Sequence, residues 1–407
     1  MRIAILGSVA LPVPPPFQGG TEWIAFYQAE GLAKLGHKVI LFAARGSKKG
    51  DYRLIEVGGG DTVVGSGLTA GPVTRISQVS VQVVPTSVGT LPSVNLDSGS
   101  PYSRHPLFSP FTESSRKLRL ENVYLAQVIG KLIEMKDEYD LILNNMRGEA
   151  VFLPFAKSDL VQGKPFINVM HLPLFPELVK LFRVYQTHII TISNAQRKEF
   201  PGLNYLATVY NCVDTNKFTF GSGKGSDLKG IQGLTPGNTD DYLLMMGSIS
   251  PHKNQAGAIR IAKRLGMKLV LAGKIGDMDY YKELQKDIDG KQICWKGELN
   301  FEEKLKLYQG ALAFLFPILW EEPFGLVMIE AMSCGTPVVA FRNGAIPEVV
   351  VNGKTGFVIE NNSEDQMIDA VRKIDTIKRA DCRRHVENNF TVDIMVDAYD
   401  KALTKLI

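Results

Sequence analysis

The stretch WEEPFGLVMIEAMSCGTPVVAF, residues 320–341, contains the unit that decides the fold of this chain, a helix followed by a strand. Glu322 precedes a turn at Gly325, and the apolar run that starts at Leu326 predicts a buried helix. The apolar run 337–341 then predicts a strand. A helix that leads into a fully apolar strand is typical of α/β proteins, whose parallel sheets are covered on both faces.

The same alternation runs through the rest of the chain and starts twice. Short β-rich runs are separated by helical patterns such as TEWIAFYQAEGLAKLG, residues 21–36. The restart predicts an α/β fold of two Rossmann-like, doubly wound domains. Ligands of such domains bind at the carboxyl ends of the strands, so we expect the site in a central cleft. Strands are predicted at residues 2–7, 38–43, 141–145, 166–170, 188–193, 242–247, 268–273, 311–316 and 337–341.

The boundary between the two domains is predicted from residues 221–240, which are rich in Gly, Ser and polar residues. We assign residues 1–205 to an N-terminal domain and residues 206–390 to a C-terminal domain. Residues 391–407 begin with a Thr that can cap a helix, and we expect an amphipathic helix that can pack back on the N-terminal domain. Residues 85–116 have little periodicity and are predicted to form a loop or lid.

The composition of the chain argues against several classes of protein. Its 407 residues are 45% hydrophobic and 22% charged, as in soluble globular proteins. A net charge of +4 with dispersed Lys and Arg does not predict nucleic-acid binding. The apolar runs are too short for a transmembrane segment, and the start of the chain lacks a full signal-peptide pattern. The four Cys residues lack the spacing of a zinc site or a disulfide framework, so a cytoplasmic protein is expected.

Two glutamates in the opening stretch, Glu322 and Glu330, are the strongest candidates for ligand binding. Apolar neighbours surround Glu330 in the predicted helix, and a carboxylate is kept in such surroundings when it has a partner. Side chains lean toward the N-terminus of a helix, so Glu330 can reach the helix end that follows Glu322. Free N–H groups at that end suit a phosphate, and carboxylates accept hydrogen bonds from sugar hydroxyls. The pair therefore predicts a pocket for a sugar joined to a phosphate.

Three further candidate sites follow predicted strands. Gly247 permits close backbone approach to a ligand and Lys253 can reach a phosphate, although such a lysine can also be simply solvated. Gly20 lies in the first strand-to-helix connection, where it can expose backbone N–H groups to a ligand or form a flexible turn. His171 closes a predicted strand, where it can contact a substrate hydroxyl or serve as a structural residue.

The remaining acidic residues in turns are predicted to be structural. Asp214 in NCVDTNKF is expected to act as a cap or a hinge. Asp277 and Asp279 in GDMDY are expected to be solvated, so the sequence predicts no metal site.

These motifs resemble those of a known family, the retaining glycosyltransferases of the GT-B type, family 4, or glycosyl transferases group 1. The most specific part, EPFGLVMIEAMSCGTPVVAF, is similar to the family's signature of two glutamates separated by seven residues. GGTE at residues 19–22, NCVDTNKF at 211–218 and PEVVVNGKTGFVI at 347–359 are similar to further family motifs. The resemblance spans nearly the whole chain. It implies that the N-terminal domain binds an acceptor and that the C-terminal domain binds a nucleotide sugar.

The resemblance also implies a role for each candidate residue. Glu322 would contact the donor sugar, Glu330 the ribose hydroxyls and Lys253 the phosphates, while His171 would lie near the reactive face of the sugar. The implied catalytic residues are Glu322, His171 and Lys253. The implied donor-binding residues are Gly20, Gly247, Ser248, Lys253, Phe324, Gly325, Leu326, Val327 and Glu330.

Two positions depart from the family pattern. Ser248 stands where the family usually has Arg, so one phosphate-binding cation is missing, and Lys274 is a candidate substitute. Asn144 and Asn145 stand where relatives often carry His. The first departure leaves donor affinity and donor identity open.

The function implied by the resemblance is retaining transfer of a hexose from a nucleotide-diphosphate sugar to a hydroxyl group. The acceptor would be a small molecule, a saccharide or a lipid-linked compound, and neither a cofactor nor a metal ion would be needed. A lipid-linked acceptor would bring the cytoplasmic protein to a membrane surface, without a transmembrane segment. Two alternatives stay open: a nucleotide-sugar epimerase or phosphorylase on the same fold, and a catalytically silent nucleotide-sugar-binding protein.

Overall fold

The computed structural model of the chain contains two parallel β-sheets with helices on both faces, one sheet in each half. The predicted linker lies outside the described residues from residue 222 to residue 240, as does the predicted loop from residue 85 to residue 109. No helix in the described parts of the chain is long and apolar enough to cross a membrane. The structure describes residues 1–17, 19–58, 110–221 and 241–407.

The N-terminal sheet has seven strands, and every pairing between them is parallel. The strands are β1 (Arg2–Ser8), β2 (Lys38–Ala43), β3 (Arg53–Glu56), β4 (Leu141–Asn144), β5 (Phe166–Met170), β6 (His188–Thr191) and β7 (Tyr205–Thr208). Their order in the sheet is β3-β2-β1-β4-β5-β6-β7. Successive side chains of β1 enter opposite layers: Ile3 and Ile5 join one hydrophobic cluster, and Ala4 and Leu6 join another. Burial on both faces explains why the central strands are continuous apolar runs.

The helices of the N-terminal half cover the two faces of this sheet. Ile24 and Leu32 of the first helix pack in the cluster of Ile3, whereas Leu125 and Val128 of the second helix pack in the cluster of Ala4. The two helices therefore lie on opposite faces. The helices are α1 (Gly20–Lys34), α2 (Pro110–Glu134), α3 (Glu149–Ala156), α4 (Pro176–Tyr185) and α5 (Ala195–Glu199).

The C-terminal sheet repeats the arrangement with six parallel strands. They are β8 (Tyr242–Met246), β9 (Lys268–Ala272), β10 (Ile293–Trp295), β11 (Ala313–Phe316), β12 (Val338–Phe341) and β13 (Gly356–Ile359). Their order is β10-β9-β8-β11-β12-β13. The helices of this half are α6 (Gln255–Leu265), α7 (Met278–Gln285), α8 (Phe301–Gly310), α9 (Leu326–Ser333), α10 (Ile346–Val349), α11 (Glu364–Arg372), α12 (Arg379–Asn389) and α13 (Val392–Thr404).

Each sheet reverses its strand order at one point, between β1 and β4 in the first sheet and between β8 and β11 in the second. The connections that leave the two strands at such a point run to opposite faces, which opens a crevice at their carboxyl ends. Since β8 ends at Met246 and β11 at Phe316, the loops that begin with Gly247 and Pro317 border the crevice of the C-terminal domain.

The last helix, α13, packs on the N-terminal domain. A Cβ atom placed on Gly31 of α1 would lie 2.2 Å from Cγ2 of Val396 in α13, so the two backbones approach closely. At the end of α1, Nε2 of His37 lies 2.7 Å from Oδ1 of Asp400. Thr391 caps the start of α13 by accepting a hydrogen bond from the backbone N–H of Ile394 at 3.3 Å.

All nine strands predicted from the sequence are present. In the part of the chain that the structure describes, the prediction missed four strands, β3, β7, β10 and β13, which are the edge strands of the two sheets. An edge strand is short and has one unpaired side, so it needs no continuous apolar run. β3, for instance, has charged residues at both ends. The predicted loop 85–116 is wrong at its C-terminal end, because α2 begins at Pro110. Leu125, Val128 and Leu132 of α2 pack on the sheet. This packing stabilises the helix as a whole, including the polar residues at its N-terminal end.

We predict that Gly31→Ala destabilises the protein because the added methyl group meets the stiff side chain of Val396. Overpacking of this kind typically costs about 1–3 kcal/mol. Urea unfolding should show this loss for Gly31→Ala, and the double variant Gly31→Ala/Val396→Ala should recover part of it. Gly130→Ala in α2 is the matched control, since a Cβ there meets nothing within 4 Å. Equal stability of the two single Gly→Ala variants would show that α1 and α13 are not in close contact.

Candidate active site

A cavity of about 580 Å³ lies between the two domains, at the carboxyl ends of β8 and β11. The N-terminal domain contributes the loop before α1, the first turns of α1, and His171 after β5. The C-terminal domain contributes Gly247 after β8, one side of α8 and the first turns of α9. Residues 211–218, between the two sheets, complete the wall. The cavity therefore brings together segments that are far apart in the sequence.

The N-terminus of α9 forms one wall of this cavity. Gly325 adopts a left-handed conformation with φ of +85°, and a Cβ there would lie 2.5 Å from Cε of Met328, so the turn into the helix requires glycine. Leu326 in the first turn of α9 lies opposite Gly20, the first residue of α1; a Cβ on Gly20 would be 2.7 Å from Cδ1 of Leu326. Two helix N-termini thus meet across the cleft, and both favour a negatively charged ligand.

Glu322 is held in a fixed position just before this turn. Only 11% of its side chain is exposed, and its Oε2 atom accepts hydrogen bonds from Nζ of Lys253 and Nε1 of Trp320, each at 3.0 Å. The backbone N–H of Ala345 donates to the Glu322 carbonyl at 2.8 Å. A Cβ on Gly344 would lie 2.3 Å from that same carbonyl oxygen. Both side-chain contacts use Oε2, and among the described residues no hydrogen bond uses Oε1, which can therefore accept one from a ligand.

Lys253 reaches Glu322 from the loop after β8. Two hydrogen bonds of the Asn254 side chain hold this loop in place. Its Nδ2 donates to the carbonyl of Pro317 at 2.8 Å, and its Oδ1 accepts from the N–H of Gly257 at 3.1 Å. Nζ of Lys253 also lies 4.8 Å from the centre of the Trp320 ring. An ion pair as enclosed as that of Lys253 and Glu322 adds little net stability, because both groups lose their water. Both residues of the pair line the cavity.

Glu330 lies one turn further along α9 and is held by α8. Its Oε1 atom is 3.1 Å from Nζ of Lys304, and its Oε2 atom accepts a hydrogen bond from the hydroxyl of Tyr308 at 2.8 Å. Burial raises the pKa of Tyr308 well above its usual value, and the charge of Glu330 adds to the effect, so the tyrosine remains a donor. A capping box of Asn300 and Glu303 fixes the start of α8 and thereby the positions of both partners.

His171 is a neutral side chain on the N-terminal wall of the cavity. Its Nε2 atom lies 2.9 Å from Oδ1 of Asn145, which follows the neighbouring strand β4. Loss of hydration lowers the pKa of His171 from 6.5 to about 3, and the charge of Arg147 contributes to the decrease. At neutral pH the imidazole can therefore accept or donate a hydrogen bond but carries no charge.

A second group of cavity residues was not predicted from the sequence. Nζ of Lys217 lies 3.5 Å from Oδ2 of Asp214 and 4.6 Å from the centre of the Trp23 ring. The ring of Tyr27 is 5.7 Å from the same Nζ atom. Asp214 also accepts a hydrogen bond from the N–H of Asn216 at 3.1 Å, as a turn-capping residue does. These contacts could not be predicted, because α1 and residues 214–217 are far apart in the sequence and come together only in the folded protein. In the sequence alone, the aromatic residues of α1 look like ordinary core residues.

The cavity contains every implied catalytic and donor-binding residue except Ser248. Ser248 does not line it, although Gly247 next to it does. Lys274, the candidate substitute for the missing cation, is exposed and lies outside the cavity wall, so the structure gives it no place there. Asp277 caps α7 by accepting from the N–H of Tyr280 at 2.9 Å, and Asp279 is paired with Lys282 at the surface. The selected residues that line the cavity are Gly20, His171, Gly247, Lys253, Glu322, Phe324, Gly325, Leu326, Val327 and Glu330.

Comparison with known proteins matches part of this chain to glycosyltransferases. Residues 231–390 match the model of the family described as "Glycosyl transferases group 1". D-inositol 3-phosphate glycosyltransferase of Mycolicibacterium smegmatis is 25% identical over 231 residues, which are 53% of this chain and 50% of that protein. An uncharacterized glycosyltransferase of Methanocaldococcus jannaschii is 25% identical over 217 residues, 51% of this chain and 55% of that protein. The chain spans about half the length of these curated relatives.

Solved structures share the architecture over the full chain. Anabaena HepE, in complex with UDP and glucose, superposes with a TM-score of 0.67 at 18% identity and covers 99% of each chain. AviGT4, a glycosyltransferase involved in avilamycin A biosynthesis, superposes with a TM-score of 0.61 at 20% identity over 100% of this chain and 98% of its own. At these identities the likeness shows the fold alone. It confirms the predicted GT-B fold of two Rossmann-like domains that face a central cleft.

We predict that His171 makes the folded protein sensitive to acid. Its pKa is about 3 in the folded state and 6.5 in model compounds, so below pH 6.5 the unfolded state takes up a proton that the folded state does not. The free energy of unfolding of the wild type should therefore fall more steeply below pH 6.5 than that of His171→Asn. Urea unfolding at several pH values measures both slopes. Parallel slopes would mean that His171 titrates normally in the folded state.

Proposed function

We propose that this chain, whose residues 231–390 match the model of the glycosyl transferases group 1 family, is a retaining glycosyltransferase that moves a hexose from a nucleotide-diphosphate sugar to a hydroxyl acceptor. The observation that carries the proposal is the meeting of Glu322, Glu330 and the N-terminus of α9 in one cavity. Two carboxylates suit the hydroxyls at the two ends of such a donor, and the helix N-terminus between them suits its diphosphate.

The donor would lie along the first two turns of α9. Glu322, before the helix, would accept hydrogen bonds from the sugar through Oε1, while Glu330, in the second turn, would hold the ribose hydroxyls. The N–H groups at Leu326 and Val327, together with Gly20 of the facing helix, would surround the diphosphate. Lys253 would remain beside Glu322 and place its charge near the phosphate that carries the sugar.

The reaction needs no nucleophile from the protein. The bond between C1 of the sugar and the phosphate oxygen breaks, a bond from C1 to the acceptor oxygen forms on the same face, and the acceptor proton passes to the leaving phosphate. Negative charge that grows on the phosphate is stabilised by Lys253 and the N-terminus of α9. The neutral ring of His171 can hold a sugar hydroxyl without opposing the positive charge that develops at C1. No cofactor or metal ion takes part in this scheme.

The acceptor would enter from the N-terminal domain, as a small molecule, a saccharide or a lipid-linked compound. The wall on that side consists of the loop before α1, the start of α1, and His171. We propose a cytoplasmic protein that reaches a lipid-linked acceptor, where that is the substrate, from the membrane surface.

One observation favours a second candidate, a catalytically silent protein that binds nucleotide sugars. Three lysines of the cavity wall, Lys217, Lys253 and Lys304, are each paired with a carboxylate. Ser248 supplies no further cation, and Lys274 lies outside the cavity. A diphosphate would therefore meet a site whose cations are already partly neutralised. Binding of donors without transfer or hydrolysis, across several donors and acceptors, would favour this candidate or an epimerase over the transferase.

We predict that Glu322→Gln and Lys253→Met each remove most transfer activity while the protein stays folded. Loss of one preorganised contact to the transition state typically lowers kcat by about 10²–10³. Lys274→Met is the matched control, since this lysine is exposed outside the cavity and should retain activity close to that of the wild type. Initial rates of nucleotide release with a panel of nucleotide sugars and acceptors measure the effect. Near-normal rates in both cavity variants would overturn the assignment of these residues.

A further inference from the structure

A row of hydrogen-bonded side chains begins at His171 in the cavity wall and extends into the N-terminal domain as far as Gln28. Nε2 of His171 lies 2.9 Å from Oδ1 of Asn145, and Nδ2 of Asn145 donates to Oε1 of Gln28 at 2.7 Å. Gln28 is completely buried in α1, and Asn145 is 2% exposed. The two hydrogen bonds of the Asn145 amide give that side chain one preferred orientation, whereas Nε2 of Gln28 is buried without a hydrogen-bond partner among the described residues.

The three residues come from three elements that meet at the carboxyl edge of the sheet. Asn145 follows β4 and His171 follows β5, which is its neighbour in the sheet. The backbone N–H of Asn145 donates to the carbonyl of Leu6 in β1 at 2.8 Å, which fixes the start of the loop that carries the amide. Gln28 approaches from the opposite layer, in α1. The row is therefore anchored to the sheet at both strands and to the helix.

Hydrogen-bond chemistry assigns the proton of the imidazole. The Nδ2 group of Asn145 is used as a donor to Gln28, so its Oδ1 faces the histidine, and a carbonyl oxygen can only accept. Nε2 of His171 must then carry the proton and Nδ1 must be a bare acceptor. Nδ1 has no hydrogen-bond partner among the described residues, and the ring lines the cavity. If the Gln28 amide were reversed, the whole row would reverse and the proton would move to Nδ1.

We propose that Gln28 and Asn145 are positioning residues that hold His171 as the Nε2–H tautomer, so that Nδ1 accepts a hydrogen bond from a hydroxyl of the bound donor sugar. This proposal rests on the proposed function. It adds a basis for donor specificity, because a donor sugar that lacks this hydroxyl would leave Nδ1 of His171 without a hydrogen-bond partner in the cavity. Such a sugar should be a poorer substrate than its hydroxylated counterpart.

The charged surroundings of the ring support the neutral form. Arg147, in the loop between β4 and α3, acts on the ring with a positive charge, and on the side of α1 the partner at the end of the row is the uncharged Gln28. A carboxylate at position 145 would favour protonation of the ring, whereas an amide does not. Asn145 therefore orients the His171 ring as an Asp would. Unlike an Asp, it adds no negative charge beside the ring.

The test uses Asn145→Leu and Asn145→Asp in the full chain. Ring-nitrogen signals of ¹⁵N-labelled histidine report the tautomer, and His171→Asn identifies the signal of His171 among the six histidines. The wild type should show Nε2–H near neutral pH. Asn145→Leu should show a mixture of tautomers and a loss in kcat/KM of about tenfold, the effect of one lost hydrogen bond. Asn145→Asp should keep Nε2–H but raise the pKa of the ring, so that kcat/KM falls on the acidic side of the profile.

Two controls separate this proposal from a purely structural role and from the proposed function. Binding of the nucleoside diphosphate without the sugar should be unchanged in both Asn145 variants, because Glu330 and α8 hold the nucleotide end. An Nδ1–H tautomer in the wild type, or wild-type kcat/KM and pH profile in both variants, would overturn the proposal. If the wild type transfers no sugar from any donor, the proposed function fails, and the tautomer measurement still decides whether Asn145 positions His171.

Discussion

The arrangement of the site depends on one constraint, the sharp turn that leads from Glu322 into α9. Gly325 makes this turn in a left-handed conformation. On the other side of Glu322, the backbone of Gly344 packs closely against it and the N–H of Ala345 donates to its carbonyl. Because the turn is fixed on both sides, the carboxylate before it and the helix N-terminus after it keep one relative position. A larger residue at Gly325 or Gly344 would move both at once. The ends of the site that we propose for the phosphate and the sugar are thus held in one fixed arrangement.

Charge pairing is the second feature that shapes the cleft. Glu322 with Lys253, and Glu330 with Lys304, are enclosed pairs in which each carboxylate has a second donor, Trp320 or Tyr308. Such pairs contribute little to stability, but they hold both carboxylates in place before a ligand arrives. The conformational entropy of these side chains is therefore lost when the protein folds, and binding of a ligand does not have to order them. The N-terminal side of the cleft has a neutral polar group, His171, in place of a charged pair. Burial keeps this ring uncharged, and the row of uncharged amides orients it.

Much of the fold and part of the site could be predicted from the sequence. The strands inside each sheet are continuous apolar runs, and Glu322 and Glu330 stand out because the first precedes the apolar run of α9 and the second interrupts it. Lys304 and Tyr308 were missed, since their spacing on α8 is that of any amphipathic helix and only tertiary structure brings them to Glu330. The group around Lys217 and Trp23 was missed for the same reason. Asn145 was noticed only as a departure from the family pattern, because a hydrogen bond between two strand ends has no signature in the sequence.

We propose that Glu322 binds the sugar of the donor and that Glu330 binds its nucleotide. Calorimetric titration of the wild type, Glu322→Gln and Glu330→Gln tests this proposal, with the nucleotide sugar that stabilises the protein most in a thermal-shift panel and with its nucleoside diphosphate. We expect Glu330→Gln to weaken the binding of both ligands by the same factor. We expect Glu322→Gln to weaken the binding of the nucleotide sugar but to bind the nucleoside diphosphate at least as tightly as the wild type, because Lys253 is released toward the phosphates. Equal weakening of both ligands by Glu322→Gln would contradict the proposal.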